Sequence, residues 1–87
     1  MRELRGASVV ITGASSGIGR AAAIAFARRG ACVTLAARRE GMLREAAASC
    51  EAEGGKALVV TTDVGDAEAV RQLAHSAIGT FGKIDVW

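Results

Sequence analysis

Gly13, Gly17 and Gly19 stand where an apolar run, Val9-Val10-Ile11-Thr12, gives way to an alanine-rich stretch that begins at Arg20-Ala21-Ala22. Glycines so placed suit the holding of a pyrophosphate on backbone N–H groups. Gly13 lets the chain turn sharply off a strand, Gly17 lets backbone N–H groups approach a ligand, and Gly19 lets the following helix pack close to a sheet. The helix start faces the phosphates with unpaired N–H groups and the positive end of its dipole, so no basic side chain is needed in the turn. Two common phosphate-binding patterns are excluded. G-x-G-x-x-G requires steps of two and three residues between glycines, and a P-loop would place Gly-Lys where Ile18-Gly19 stand. A glycine-containing turn without a ligand would bear the backbone-entropy cost of three glycines with no packing reason. The candidate contacts in the turn are Gly13, Ser15, Ser16, Gly17, Ile18 and Gly19.

A second cluster, Ala37-Arg38-Arg39, bears on which dinucleotide would bind. Dinucleotide folds usually place an acid about 20 residues beyond the glycines to hold the ribose 2′-hydroxyl, and Ala37 occupies that place. Without the carboxylate there is neither that acceptor nor a charge to repel a 2′-phosphate. Arg38 and Arg39 offer planar donors that can grip one, or else they form the solvated start of a helix. This pattern favours NADP(H), with NAD(H) possible. A third cluster is Asp63-Val64. The Asp63 carboxylate can accept from an adenine amino group or can cap the helix that follows.

The elements that must position these residues follow from periodicity, which alternates between strand-like and helix-like blocks with no linker or repeat. Ser8 to Thr12 reads as a strand, and Ser16 to Arg29 as a helix rich in alanine and ended by Gly30. Cys32 to Ala37 is a continuous run suited to a parallel strand covered on both faces. Arg39 to Glu53 follows as a helix whose Leu43, Ala46, Ala47 and Cys50 form one stripe, stopped by Gly54-Gly55. Ala57 to Thr62 reads as the third strand. Val70, Leu73, Ala74, Ala77, Ile78 and Phe81 repeat the helical stripe, with Asp66 and Glu68 in its first turn, and Ile84 to Trp87 opens a fourth strand. The expected architecture is α/β, a Rossmann-like doubly wound parallel sheet in a βαβαβαβ half that stops within the fourth strand. Its ligand contacts lie at the carboxyl ends of the strands.

Composition narrows the partners. At 87 residues and 51% hydrophobic content, the chain is one unit, residues 1–87, and a domain of this size buries only about 60 to 65% of its unfolded surface. A net charge of +2 with basic and acidic residues intermixed, and an aromatic content of 3%, leave neither a basic face nor a stacking platform, which argues against nucleic acid. No run approaches the ~18 apolar residues of a membrane span and no signal core precedes the first strand, so a cytoplasmic location is expected. Cys32 and Cys50 read as small buried hydrophobes, His75 as a surface histidine, and Lys56 and Lys83 as surface charges; nothing assembles a metal site.

Thr12-Gly13-Ala14-Ser15-Ser16-Gly17-Ile18-Gly19 resembles the T-G-x-x-x-G-x-G signature of the short-chain dehydrogenase/reductase family at every fixed position, and Gly82-Lys83-Ile84-Asp85-Val86-Trp87 resembles the lead into that family's fourth strand. The resemblance covers the whole chain and about the first third of a full-length member. It implies an oxidoreductase that transfers hydride between a nicotinamide and a small carbonyl or alcohol, and a homo-oligomer when full length. It also implies that Asp63 contacts adenine and Val64 lines its pocket. Arginine after the second strand resembles the NADP-preferring members, although some of these carry a basic residue in the glycine turn where Ser16 stands. The family's catalytic tyrosine, lysine, serine and asparagine are expected beyond Trp87, since the chain has no tyrosine and no asparagine and no residue here suits the proton transfer. On this reading the chain supplies cofactor binding only and is inactive alone. The alternative is a free-standing nucleotide-binding or regulatory module.

Overall fold

The computed structural model describes residues 4–15 and 17–87. Its elements run β1 (Ser8–Thr12), α1 (Gly17–Arg28), β2 (Cys32–Ala37), α2 (Glu40–Ala52), β3 (Lys56–Thr61) and α3 (Ala67–Phe81). The three strands form one parallel sheet with β2 in the middle. Ser8 pairs with Cys32 and Thr12 with Ala36, while Cys32 pairs with Lys56 and Ala37 with Thr61, so the carboxyl ends of all three strands finish level.

The alternation of side chains along a strand divides the core between two faces. On one face Val9, Val33 and Leu35 pack against Ala23 and Ala27 of α1 and Leu43, Ala46 and Cys50 of α2. The alanines of α1 keep that helix near the sheet. On the other face Val10 and Ala36 pack under Leu73 and Ala77 of α3, with Val60 and Ile84 at the margin. β2 is buried on both faces except at Cys32, as its unbroken apolar run requires.

Most expected elements appear within a residue or two of their expected bounds, and the stripe Leu43, Ala46, Ala47 and Cys50 is buried throughout. Burial pushes the Cys50 thiol up, outweighing the opposing pull of Arg20, so this cysteine is held as an inert thiol. Cys32 is only half-buried, at the start of β2. The third strand begins at Lys56, whose N–H donates to Ala31 O at 3.3 Å. In α3 the stripe is narrower than its periodicity suggests: Leu73 and Ala77 are buried, but Ile78 is 49% exposed. The fourth strand shrinks to one parallel bridge, Val9 to Val86. Val86 N donates to Ser8 O at 3.1 Å and Val10 N to Val86 O at 2.9 Å. Because β2 occupies one side of β1, Val86 lies along the other, giving the spatial order β3-β2-β1-Val86.

This segment is tied to β1 by a side chain as well. Asp85 Oδ2 accepts from Ser8 N at 2.8 Å and from Lys83 Nζ at 3.1 Å. His75 is exposed on α3. Among the described residues no group of side chains could hold a metal ion, and no helix is long and apolar enough to cross a membrane.

Candidate functional site

The level carboxyl ends of the strands bring three turns to one edge of the sheet. The first leaves β1 at Gly13, whose φ is +64°, and enters α1 at Gly17, whose φ is +54°. Both lie in the left-handed region, where a side chain is strained. A Cβ placed on Gly17 would meet nothing within 4 Å, so the space outside this backbone is open to a ligand. Ala14 is fully buried, and its N–H donates to Ala36 O at 3.2 Å, which fastens the turn to β2. Gly19 is constrained differently: a Cβ there would lie 2.9 Å from the Gly13 carbonyl carbon and overlap its oxygen. The first turn of α1 therefore sits directly against the turn that leads into it.

Electrostatics distinguish α1 from its neighbours. Glu40 lies in the first turn of α2, and α3 carries Glu68 there together with the Asp66 cap, whereas the first turn of α1 contains no acid. Its unpaired N–H groups and dipole consequently meet no negative side chain of their own turn. Ser15 is half-buried, and Ile18 is 90% exposed at the mouth of the turn. Ser16 lies outside the described residues.

The second turn, Arg38-Arg39, links β2 to α2. Arg39 is the N-cap residue of α2 in extended conformation, with no side-chain cap bond, and is exposed. Arg38 reaches across to the third turn, where its Nη2 donates to Asp63 Oδ1 at 3.1 Å. Thr62 N donates to Ala37 O at 2.8 Å beneath this pair, joining the two turns through the backbone. Asp63 Oδ1 also accepts from Gly65 N at 2.9 Å. That bond, followed by the Arg38 guanidinium, holds the Asp63 carboxyl below the usual carboxylate range. Val64 is 60% exposed beside it.

The capping alternative for Asp63 is not realised. The cap of α3 is Asp66, whose side chain accepts from Glu68 N and Ala69 N, while Asp63 shapes the turn before it. Asp66 read as a first-turn residue because the boundary between cap and first turn is one residue wide. Two structural contributors were missed altogether: Ala14, which anchors the glycine turn, and Thr62, which is buried and ties β3 to β2. The small residue inside the glycine motif was the one signal for Ala14.

A model of the short chain dehydrogenase family matches residues 7–87. The chain belongs to the short-chain dehydrogenase family. Its relatives include L-rhamnose 1-dehydrogenase (NAD(P)(+)) of Sphingomonas sp. strain SKA58, 44% identical over 87 residues, covering 99% of this chain and 34% of that protein. Another is 11-beta-hydroxysteroid dehydrogenase A of Sesamum indicum, 45% identical over 84 residues, covering 95% of this chain and 24% of that one. Among solved structures, a short-chain type dehydrogenase/reductase from Mycobacterium marinum superposes with a TM-score of 0.91 at 41% identity, covering 95% of this chain and 34% of that chain. The chain thus spans between a quarter and a third of the length of these short-chain dehydrogenase relatives. The family is one of oxidoreductases that use nicotinamide dinucleotides.

Proposed function

We propose that residues 1–87 are the cofactor-binding segment of a short-chain oxidoreductase that takes NADP(H) in preference to NAD(H). The observation that carries this reading is the entry to α1: a left-handed Gly17 with open space outside it, leading into a helix whose first turn holds no acid. A pyrophosphate fits that combination, because exposed N–H groups bind it and no carboxylate opposes it. Arg38 and Arg39 would hold the 2′-phosphate, with Ala37 in the place where an acid would repel it. Asp63 and Val64 would meet the adenine end, and Ser15, Ser16 and Ile18 would line the pyrophosphate turn.

When bound, the nicotinamide gives or accepts the hydride exchanged with a carbonyl or alcohol. The chain's own residues bind and orient the dinucleotide. None of them suits the proton transfer at the substrate oxygen, so on this proposal that step belongs to other parts of the whole enzyme. The relatives support such a division. Proteins named for a sugar and for a hydroxysteroid are 44% and 45% identical to this chain, as expected if the shared segment serves the cofactor and the substrate is chosen elsewhere.

Titration with NADPH and NADH by calorimetry, at one stated ionic strength, tests the reading. The expected result is NADPH binding at least about tenfold tighter, a difference of about 1.4 kcal/mol. Gly17→Val should abolish binding of both, since a β-branched residue is strained at positive φ and its side chain would enter the open space. Binding of neither dinucleotide by the unaltered protein would overturn the proposal.

A further inference from the structure

Two residues expected at different parts of one nucleotide, Arg38 for the 2′-phosphate and Asp63 for the adenine, bond to each other in this structure. We infer that Asp63 is a positioning residue for Arg38 and through it helps set the choice between NADPH and NADH. This inference rests on the dinucleotide reading above.

The two side chains are not equally anchored. Asp63 is held by its own backbone turn, through Gly65 N at 2.9 Å, and the strand beneath it is tied to β2 by the bond from Thr62 N to Ala37 O. Arg38 is a long side chain, 76% exposed, that reaches Asp63 Oδ1 through a 3.1 Å bond at this edge. The fixed partner is therefore the acid, and the arginine takes its direction from it.

That contact uses one N–H of Nη2. A guanidinium has five donors in a planar fork, so an edge of Arg38 remains for two oxygens of a phosphate while the bond to Asp63 persists. An arginine already directed this way loses less side-chain freedom on gripping the phosphate than one that samples every rotamer. Asp63 Oδ2 is left to face the adenine amino group, so one carboxylate can serve both ends of the nucleoside.

The opposing effect is charge. The Asp63 carboxylate offsets part of the guanidinium charge and would repel a phosphate. Both side chains are at least half exposed, so the repulsion acts largely through water, whose high dielectric constant keeps it small even inside the Debye length of about 8 Å. The rotamer freedom that Arg38 gives up on pairing with Asp63 is freedom it does not lose again when a phosphate binds. Positioning therefore outweighs repulsion at ordinary salt.

The test is the ratio of the NADH and NADPH dissociation constants, because a contact to adenine is common to both ligands and cancels. It is measured for the unaltered protein, Asp63→Ala, Arg38→Ala and the double variant, with thermal melts to confirm folding. Asp63→Ala should lower the preference for NADPH about three- to tenfold, the scale of ordering one long exposed side chain. In the Arg38→Ala background it should change the ratio by less than about twofold, as expected when the shared partner is gone. Asp63→Asn keeps an oxygen for Gly65 N–H and should show a smaller fall of the same sign, which carries the test if the alanine variant does not fold. A ratio that is unchanged or rises, or a fall that persists without Arg38, overturns the inference while leaving the functional reading intact. Absence of binding by the unaltered protein overturns both.

Discussion

Replacing Gly19 by alanine should destabilise the protein even though alanine is the better helix former. In an unobstructed helix interior the change from glycine to alanine gains about 1 kcal/mol. At Gly19 the new methyl would overlap the Gly13 carbonyl oxygen, with the carbonyl carbon at 2.9 Å and Ala14 Cα at 3.2 Å. All three atoms belong to the backbone, so no rotamer change relieves the overlap. The turn cannot retreat freely either, because Ala14 is fully buried and its N–H is bonded to Ala36 O. Overpacking of this kind costs about 1 to 3 kcal/mol. Set against the gain in helix propensity, the net is a loss of up to about 2 kcal/mol. Gly41, in α2, provides the control: a Cβ there meets nothing within 4 Å, so Gly41→Ala should stabilise by about 0.5 to 1 kcal/mol. Urea unfolding of the two variants beside the unaltered protein measures both shifts. In a chain of this length each 1 kcal/mol corresponds to about 4 to 8 °C in Tm, so the opposite signs are resolvable by heating as well. A Gly19→Ala protein as stable as Gly41→Ala would refute the claim that the helix abuts the glycine turn.

Two further outcomes are expected. Leu43 is fully buried between α2 and the sheet, and Leu43→Ala should cost about 2 to 5 kcal/mol in chemical denaturation, whereas the neighbouring half-exposed Met42 should tolerate alanine with a much smaller loss. The Asp85 carboxyl is held below the usual carboxylate range, first by the Ser8 N–H and then by Lys83. The folded form therefore binds that proton less tightly than the unfolded chain. Its stabilisation is present above the unfolded value of about 3.9 and is lost as pH falls through the lower folded value. Asp85→Asn should flatten the acid limb of a stability-against-pH curve measured by denaturant titration; an unchanged limb would show that the carboxylate does not hold β1 to the final segment.

The glycine motif, the strands β1 and β2 and the buried stripe of α2 were legible in the sequence because each is a local signal. A continuous apolar run, a period of three to four, or a glycine at a turn is decided by a residue and its near neighbours. Even the burial of Leu43, Ala46, Ala47 and Cys50 follows from spacing once the segment is a helix. The edges of this reading failed where neighbours alone do not decide. Ile78 belongs to the α3 stripe by period, yet it is Leu73 and Ala77 that are buried against Val10, Ala36 and Val60 of the sheet, and Ile78 stays half exposed. The fourth strand has an apolar pattern, but only Val86 is paired.

The candidate site divides in the same way. That a glycine turn leads into α1 at Gly17, and that two arginines follow β2 at Ala37, could be read from residue types and spacing. Three facts needed the tertiary structure: Gly19 abuts the Gly13 carbonyl, Asp66 rather than Asp63 caps α3, and Arg38 bonds to Asp63. The last joins residues 25 positions apart. Which side chain meets which depends on the register that sets Ala37 beside Thr61, and a shift of one residue in that pairing would turn either side chain to the other face of the sheet. Local chemistry chose the elements, but only their packing in register could decide that an acid and an arginine from the turns after separate strands share one edge.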